Sequence, residues 1–438
     1  MKKDKISVGI IGFGTVGSGT ARILLESAGI IRERAGFEVV LKRIADLDIK
    51  RDRGIKVPDG VLTTDAAAVI NDPDIDIIIE LMGGIRPAKD FMLQAIRNKK
   101  HIVTANKALL ATEGNELFAE AEKNNVEIGF EASVAGGIPI IKVLREGLVA
   151  NNIVAIYGII NGTSNYILTK MTDEKVDFSE ALKEAQELGY AEADPTFDIE
   201  GIDTAHKLTI LSSLAYGIPL SYNEVYKEGI TKITAQDIGF ASELGYKIKL
   251  LAITKASNGE IEMRVHPTMV PGDYLISKID GVFNAVYVEG DAVGSTLYYG
   301  RGAGDMPTGS AVVSDVIDIG RNVMSGGVLR VSGISSKGMP GAGQKRIKRM
   351  ADIESMYYFR FAAMDEPGVL SKISGILGKY NISIASVIQK GRRIGGSVPL
   401  VVLTHRAKEK DVLSSIKEID GLPVVSDRTM FIRVEGSD

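Results

Sequence analysis

Apolar residues in the first ~140 positions come in short runs, separated by longer stretches with helical spacing. Ile6–Ile11, Glu38–Ala45, Ile75–Leu81, His101–Val103 and Val126–Phe130 read as strands. Thr15–Ala28, Ala88–Asn98 and Lys107–Asn124 repeat apolar residues every three or four positions and read as helices. Strand–helix alternation with nearly unbroken apolar strands predicts a parallel sheet covered on both faces.

From about Pro139 to Arg330 the texture changes. Helical stretches (Phe178–Leu188, Thr204–Ala215) mix with strand-like runs (Ile153–Ile160, Ile261–His266, Ala285–Val288), which predicts an α+β unit. Gly309–Ile319 is helical again and is expected to return to the first unit. Gly, Ser, Lys and Arg crowd the aperiodic stretch after Ser325, which reads as a linker. The end of the chain runs strand Tyr357–Ala363, helix Gly368–Tyr380, strands Ile384–Gln389 and Leu400–His405, helix Lys408–Glu418 and strand Thr429–Val434. That βαββαβ order predicts a ferredoxin-like unit. The expected limits are 1–138, 139–325, a linker over 326–354, and 355–438.

Composition narrows the function. The chain has 438 residues, 45% hydrophobic and 25% charged, with a net charge of −4 spread without blocks. Nucleic acid is not the expected partner, because phosphate binding normally leaves a basic face. No run approaches the ~20 apolar residues of a membrane span, and the charged start followed by a glycine-broken run is not a signal peptide. Cysteine is absent, which excludes disulfides, thiolate metal sites and cysteine nucleophiles. A cytoplasmic location fits.

The first strand runs directly into Gly12-Phe13-Gly14-Thr15-Val16-Gly17, a G-x-G-x-x-G loop that opens a helix. Gly12 permits a tight turn, Gly14 a close approach to a pyrophosphate, and Gly17 close helix packing. The helix start supplies free N–H groups for phosphate. Strand, loop and helix together predict a Rossmann-type dinucleotide site. The second strand ends at Arg43-Ile44-Ala45-Asp46-Leu47-Asp48. Asp46 or Asp48 would accept from a ribose 2′-hydroxyl and favour NAD. Arg43, or the run Lys50-Arg51-Asp52-Arg53, would hold a 2′-phosphate, unless that run is a solvated loop.

Lys107 follows the strand His101–Val103, so it would emerge at the carboxyl end of the sheet, where ligands bind; a lysine in the first turn of a helix otherwise faces solvent. The richest segment is Ala185–Lys207. Asp203 and Lys207 are four apart and share a helix face. Ile210 and Leu214 lie within about 40° of that direction, so the pair shares an apolar stripe. Burial lowers a lysine's pKa and a nearby carboxylate raises it, which would poise Lys207 for proton transfer. The same spacing also serves a structural ion pair. Glu192, Asp194, Asp198 and Glu200 crowd the same segment and suit a substrate with an ammonium group; cap and surface roles suit Asp194 and Glu200, and packing suits His206.

The pattern Ala185-x3-Gly189-Tyr190-Ala191-x2-Asp194-Pro195-x2-Asp198-Ile199-x-Gly201-x-Asp203-x3-Lys207 resembles the signature of homoserine dehydrogenases. Thr104–Leu110, Glu131–Ile140, Asn161–Leu168 and Tyr299–Ser310 resemble further motifs of that family, in the family's order. The resemblance covers essentially the whole chain. It implies NAD(P)-dependent interconversion of L-homoserine and L-aspartate 4-semialdehyde, on the route to threonine, methionine and isoleucine. It implies that Lys207 transfers the proton and that Lys107 is a second cation near the reacting oxygen and the nicotinamide. By the same resemblance Asp203 would complete the catalytic set, and with Asp198 it would bind substrate and orient the lysines. Glu192 would hold the substrate ammonium; Gly162, Thr163 and Tyr190 would line the pocket. The cofactor would contact Gly12, Phe13, Gly14, Thr15, Val16, Gly17, Arg43, Thr104, Lys107 and Gly304.

The resemblance also implies a monovalent cation site for Na⁺, made by Glu131 and the carbonyls of Val134, Gly136 and Ile138. Asp365-Glu366-Pro367-Gly368, at a strand-to-helix turn, resembles an ACT domain, an amino-acid-sensing module that commonly serves threonine inhibition in this family. Asp365 would cap that helix and Gly368 would admit a ligand. A homodimer or higher homo-oligomer, formed through the middle unit, is the expected assembly. The competing readings are a dehydrogenase for another semialdehyde and a sensor without catalysis.

Overall fold

The computed structural model describes residues 4–327, 334, 345–390 and 396–436. Strands β1 (Lys5–Ile11), β2 (Glu38–Ala45), β3 (Leu62–Thr63), β4 (Ile77–Glu80), β5 (His101–Thr104) and β6 (Ile128–Gly129) form a parallel sheet in the order β3-β2-β1-β4-β5-β6. Helices α1 (Thr15–Glu26), α2 (Ala28–Ala35), α3 (Ala66–Ile70), α4 (Ala88–Arg97) and α5 (Lys107–Asn124) connect them. Ile6, Val8, Ile10 and all of β4 are buried, as strands covered on both faces must be. The order reverses between β1 and β4, and that switch point opens a crevice at their carboxyl ends. β3 was not legible, because two residues at a sheet edge carry no period.

The middle unit begins with α6 (Ile140–Lys142), which continues into a π-helical turn, Val143–Gly147. There follow β7 (Ile153–Ile159), α7 (Gly162–Glu174), α8 (Phe178–Glu187), α9 (Thr196–Ile199), α10 (Ile202–Tyr216), β8 (Tyr226–Lys227), α11 (Ala235–Glu243), β9 (Tyr246–Ser257), β10 (Glu260–Pro271), β11 (Phe283–Gly290), β12 (Gly294–Arg301) and α12 (Asp305–Ser325). β12-β11-β7-β9-β10 is antiparallel throughout. β10 runs past the expected end at His266, pairing Pro267 with Leu250 and Pro271 with Tyr246. β9 escaped the sequence reading because Lys247 and Lys249 interrupt its apolar run; Lys249 is buried and satisfied by Asp280 and the Ile279 carbonyl.

α12 is longer than its expected core and crosses α1 closely. A Cβ on Gly19 would lie 2.2 Å from the Asp305 carbonyl oxygen, and one on Gly309 2.9 Å from Gly19. Val312, Val313, Val316 and Ile319 join the apolar core of the first unit.

Of the stretch read as a linker, 328–333 and 335–344 lie outside the described residues. Beyond them, β13 (Arg346–Ile347) pairs with Glu260–Ile261 of β10. The C-terminal unit comprises β14 (Glu354–Met364), α13 (Val369–Lys379), β15 (Ile384–Gln389), β16 (Ser397–Thr404), β17 (Ala407–Lys408), α14 (Glu409–Ile419) and β18 (Met430–Val434). Its order, β18-β14-β16-β15, is ferredoxin-like. Gly368, at φ +89°, occupies the cap position of α13 and no side chain caps that helix, so the expectation of a cap by Asp365 is corrected. β18 also pairs in parallel with β10, which fuses the two sheets into one of twelve strands.

Candidate active site

The crevice above β1 and β4 leads into a cavity of about 600 Å³ between the first and middle units. The glycine loop forms one end. Gly12 sits at φ +100°, and a Cβ there would lie 2.6 Å from the Leu81 carbonyl oxygen; one on Gly17 would lie 2.1 Å from the Gly12 carbonyl oxygen. A Cβ on Gly14 would meet nothing within 4 Å. Two of the three glycines are therefore packing requirements, and Gly14 faces open space. α1 has no side-chain cap and no acid in its first turn, which leaves its N–H groups to a ligand. Thr15 and Val16 line the cavity, as does Gly304 across it.

Phe13 is buried beneath the Arg53 guanidinium, 4.8 Å from its ring centre. The Phe13 N–H donates to Asp46 Oδ2 at 2.6 Å, and Arg53 Nη2 lies 3.1 Å from Asp46 Oδ1. Arg53 Nε also donates to the Phe13 carbonyl. Arg53 is thus folded onto the loop rather than left in solvent. Arg43 donates to the Gly60 carbonyl at 2.9 Å and lies outside the cavity wall. Thr104 is also outside the wall: fully buried, it donates to Glu80 Oε2 at 2.7 Å and accepts from the Asn106 N–H. Burial raises the pKa of Glu80, against the pull of its hydrogen bonds from Thr104 and Met82. Asn106 caps α5 through the Leu109 N–H and donates to the Gly84 carbonyl, which anchors the turn that presents Lys107.

At the other end of the cavity two lysines share one carboxylate. Lys207 Nζ lies 2.6 Å from Asp203 Oδ2 and donates to the Ile160 carbonyl at 2.6 Å. Lys107 Nζ lies 3.0 Å from Asp203 Oδ1. α10 is buried on nearly every side, which takes Asp203 and Lys207 out of water; Lys107 remains two-fifths exposed. Burial lowers the pKa of Lys207, with Asp203 opposing. The charge of Asp203 raises Lys107 above the ordinary lysine value, with burial opposing. Burial alone would raise Asp203, but the charges of Lys207 and Lys107 hold it well below the usual carboxylate range. One acid thus keeps one lysine charged, while burial lets the other release its proton more easily.

Asn161 completes this arrangement, and the sequence reading passed over it. Its Nδ2 donates to Asp198 Oδ1 at 2.6 Å and to Asp203 Oδ2 at 2.9 Å, while its Oδ1 caps α7 through the Ser164 N–H. An asparagine ahead of a helix signals a cap; nothing local signals that its amide meets two acids from a later segment. Gly162 and Thr163 open α7 at the cavity wall, and Thr163 Oγ1 donates to the Tyr190 carbonyl at 2.7 Å. Tyr190 and Asp198 line the cavity, but Glu192 is exposed beyond its wall, near enough for its charge to help raise Lys107. Asp194 accepts from the Thr196 N–H and hydroxyl, and Glu200 accepts from Thr231. His206 packs between Phe197 and Tyr222, and burial pushes its pKa down to about 4.

Asn284 and Arg301 also line the cavity. Asn284 is buried and its Oδ1 makes no hydrogen bond with any described residue. Its amide fills the space beside Gly302, where a Cβ would lie 2.0 Å away.

Beside the cavity, Glu131 is buried, with Oε1 and Oε2 accepting from the N–H groups of Ile141 and Lys142, both at 2.9 Å. Burial pushes its pKa up to about 7, opposed by those two bonds. The turn that follows places Ala135 and Gly136 at positive φ, and a Cβ on Gly136 would lie 2.5 Å from the Gly302 carbonyl oxygen. The Ile138 carbonyl already accepts from the Ile140 N–H. Among the described residues no group of three or more His, Asp or Glu side chains would hold a metal ion.

Three regions of the chain match known families. Residues 139–317 match the model of the homoserine dehydrogenase family, residues 12–131 that of the homoserine dehydrogenase NAD-binding domain, and residues 357–421 that of the ACT domain. A homoserine dehydrogenase of Neisseria gonorrhoeae is 49% identical over 98% of both chains. The crystal structure of a homoserine dehydrogenase from Thiobacillus denitrificans superposes with a TM-score of 0.93, at 48% identity over 98% of each chain. A hyperthermophilic archaeal homoserine dehydrogenase mutant, solved in complex with NADPH, gives 0.62 at 29% identity over 72% of this chain and 98% of that one.

Proposed function

The chain belongs to the homoserine dehydrogenase family of NAD(P)-dependent oxidoreductases, and from that premise we propose how its own residues interconvert L-aspartate 4-semialdehyde and L-homoserine. The observation that carries the reading is the shared Asp203 carboxylate, 2.6 Å from Lys207 and 3.0 Å from Lys107 at the cavity wall. When bound, the dinucleotide supplies the hydride to the aldehyde carbon, or accepts it from the alcohol. Lys207 Nζ gives the carbonyl oxygen its proton during reduction and takes it back during oxidation. Lys107 stays charged and stabilises the developing alkoxide, an effect preorganised sites commonly make worth several kcal/mol, about 3 or more. Asp203 holds both lysines on that oxygen. Asp198 and Glu192 attract the substrate ammonium, and Gly162, Thr163 and Tyr190 shape the pocket around it.

The open space at Gly14 and the Asn284 Oδ1 in the wall, which meets no donor among the described residues, suit a dinucleotide. Arg53 neutralises Asp46, so the acid that would repel a 2′-phosphate is already paired, and Arg43 stands exposed at the same strand end. This favours acceptance of NADP beside NAD, and kcat/KM measured with both cofactors decides it. The buried Glu131 and the carbonyls of the tight turn at Val134, Gly136 and Ile138 form an all-oxygen donor set suited to Na⁺, which would brace the junction between units. The limits 1–138, 139–325 and 355–438 enclose the matched regions. The exposed edge of β12, with Tyr299 uncovered on it and Val293 uncovered in the turn before it, suits a homodimer through the middle unit. The C-terminal unit would take threonine as effector. No described helix is long and apolar enough to cross a membrane, which accords with a cytoplasmic enzyme.

The direct test follows the NAD(P)H absorbance band with L-homoserine beside other amino alcohols. Turnover restricted to L-homoserine supports the reading, and equal turnover of the others overturns it.

A further inference from the structure

The last strand belongs to two units at once. β18 pairs antiparallel with β14 and parallel with β10, where Thr268 faces Arg433. Arg433 is almost fully buried. Its Nη1 lies 2.8 Å from Glu228 Oε2, its Nη2 donates to the Tyr226 hydroxyl at 3.2 Å, and its Nε donates to Glu409 Oε2 at 3.0 Å. The Tyr226 hydroxyl donates in turn to Glu228 Oε2 at 3.0 Å. A guanidinium is tolerated in such a place only when its donors are matched, so this joint has one well-defined arrangement.

Glu228 heads a short strap that reaches the substrate side of the cavity. Its N–H donates to the Val265 carbonyl of β10, and two residues later the Ile230 N–H donates to the Ile199 carbonyl, both at 2.8 Å. Gly229 passes so close to α9 that a Cβ would lie 2.4 Å from the Ile199 carbonyl oxygen. α9 is a helix of four residues and carries Asp198. A single turn has no stability of its own, so its position depends on its anchors. These are the strap on one side and Asn161 and Ser164 on the other.

We propose that Arg433 is a positioning residue for substrate binding: through Glu228 and the strap 228–230, the C-terminal unit seats α9 and holds Asp198 at the cavity wall. The inference rests on the reading that Asp198 meets the substrate ammonium. Lys207 and Asp203 lie on α10, which besides α9 packs against α5, β9 and β10, and the glycine loop lies on another unit. A disturbance of the joint therefore changes affinity for the amino acid and leaves the chemical step and the cofactor alone.

The test uses full-length protein assayed in the direction of homoserine oxidation. Glu228→Gln removes one of the two carboxylate charges that Arg433 meets, the one on the strap, and leaves Glu409 in place, while Glu228→Asp keeps both. Asp237→Asn loosens another joint between the same units, where Asp237 accepts from Arg360 Nε at 2.6 Å and Nη2 at 3.1 Å, without touching the strap. E228Q is expected to raise KM for L-homoserine on the order of five- to tenfold, with kcat and the KM for NADP within about twofold of the parent. E228D should recover part of the loss, and D237N should lower Tm while leaving KM for L-homoserine in place. An unchanged KM in E228Q, or an equal rise in E228Q and D237N, overturns the proposal. Asp198→Asn separates the two levels. If D198N leaves KM unmoved, the reading of Asp198 fails and the inference falls with it; if D198N raises KM and E228Q does not, only the strap is refuted.

Discussion

Asp203 pulls both lysines upward, but burial prevails at Lys207 and not at Lys107, and that division has measurable consequences. Lys207→Ala should lower kcat by about 10²- to 10⁴-fold, the usual range for a general acid or base, while the cofactor Kd from fluorescence titration stays near the parent value. Retention of most of kcat would exclude Lys207 as the proton-transfer group. The pH profiles should have opposite signs. Reduction needs Lys207 as the ammonium, so its rate falls as pH rises through a pKa that burial holds below the ordinary lysine value; oxidation needs the amine, so its rate rises over the same interval. Stopped-flow rates in both directions check this. Asn161→Ala removes two hydrogen bonds to carboxylates, each worth about 1.5–3 kcal/mol, and should lower kcat/KM by about 10²-fold or more. Lys107, Asp203 and Lys207 were legible in the sequence from spacing and motif. Asn161 was not, because its two acceptors come from a later segment.

At the scale of elements, the glycine loop separates two roles that one motif joins. Gly17→Ala would press a methyl group against the Gly12 carbonyl, with the Cβ 2.1 Å away, so Tm should fall along with cofactor binding. Gly14→Ala has room, so Tm should stay near the parent value while the cofactor Kd rises by about tenfold or more, roughly 1.4 kcal/mol. Thermal unfolding and cofactor titration of both variants check the contrast. Elements with an unbroken period were legible: α5 and β2 lie where the pattern predicts them. β9 and the far half of β10 were not, because a buried lysine and two prolines break the local signal while long-range pairing overrides it.

The whole molecule is less modular than its sequence suggests. A chain cut at 350 would lose Glu435, whose carboxylate meets Arg264 Nη2 at 2.6 Å and Lys255 Nζ at 2.7 Å. Arg264 is fully buried, and removing one partner of a buried pair costs about 3–5 kcal/mol. Residues 1–350 should therefore aggregate or unfold at lower temperature rather than behave as a deregulated enzyme, which light scattering and calorimetry would reveal. The proposed threonine effector is therefore tested by titrating L-threonine into the full-length chain.

The sequence by itself determined the succession of units, the dinucleotide loop, the acid–lysine face of α10 and the family. Each of these is written in neighbours a few residues apart, as a period, a turn or a motif. Tertiary structure alone decided that Asn161 joins Asp198 to Asp203, that Arg53 closes over Phe13, and that β18 makes two sheets one. Those contacts join residues up to 207 positions apart, as between Tyr226 and Arg433. Their partners are selected by burial, which leaves a charged or polar group no alternative to the one it meets across the fold.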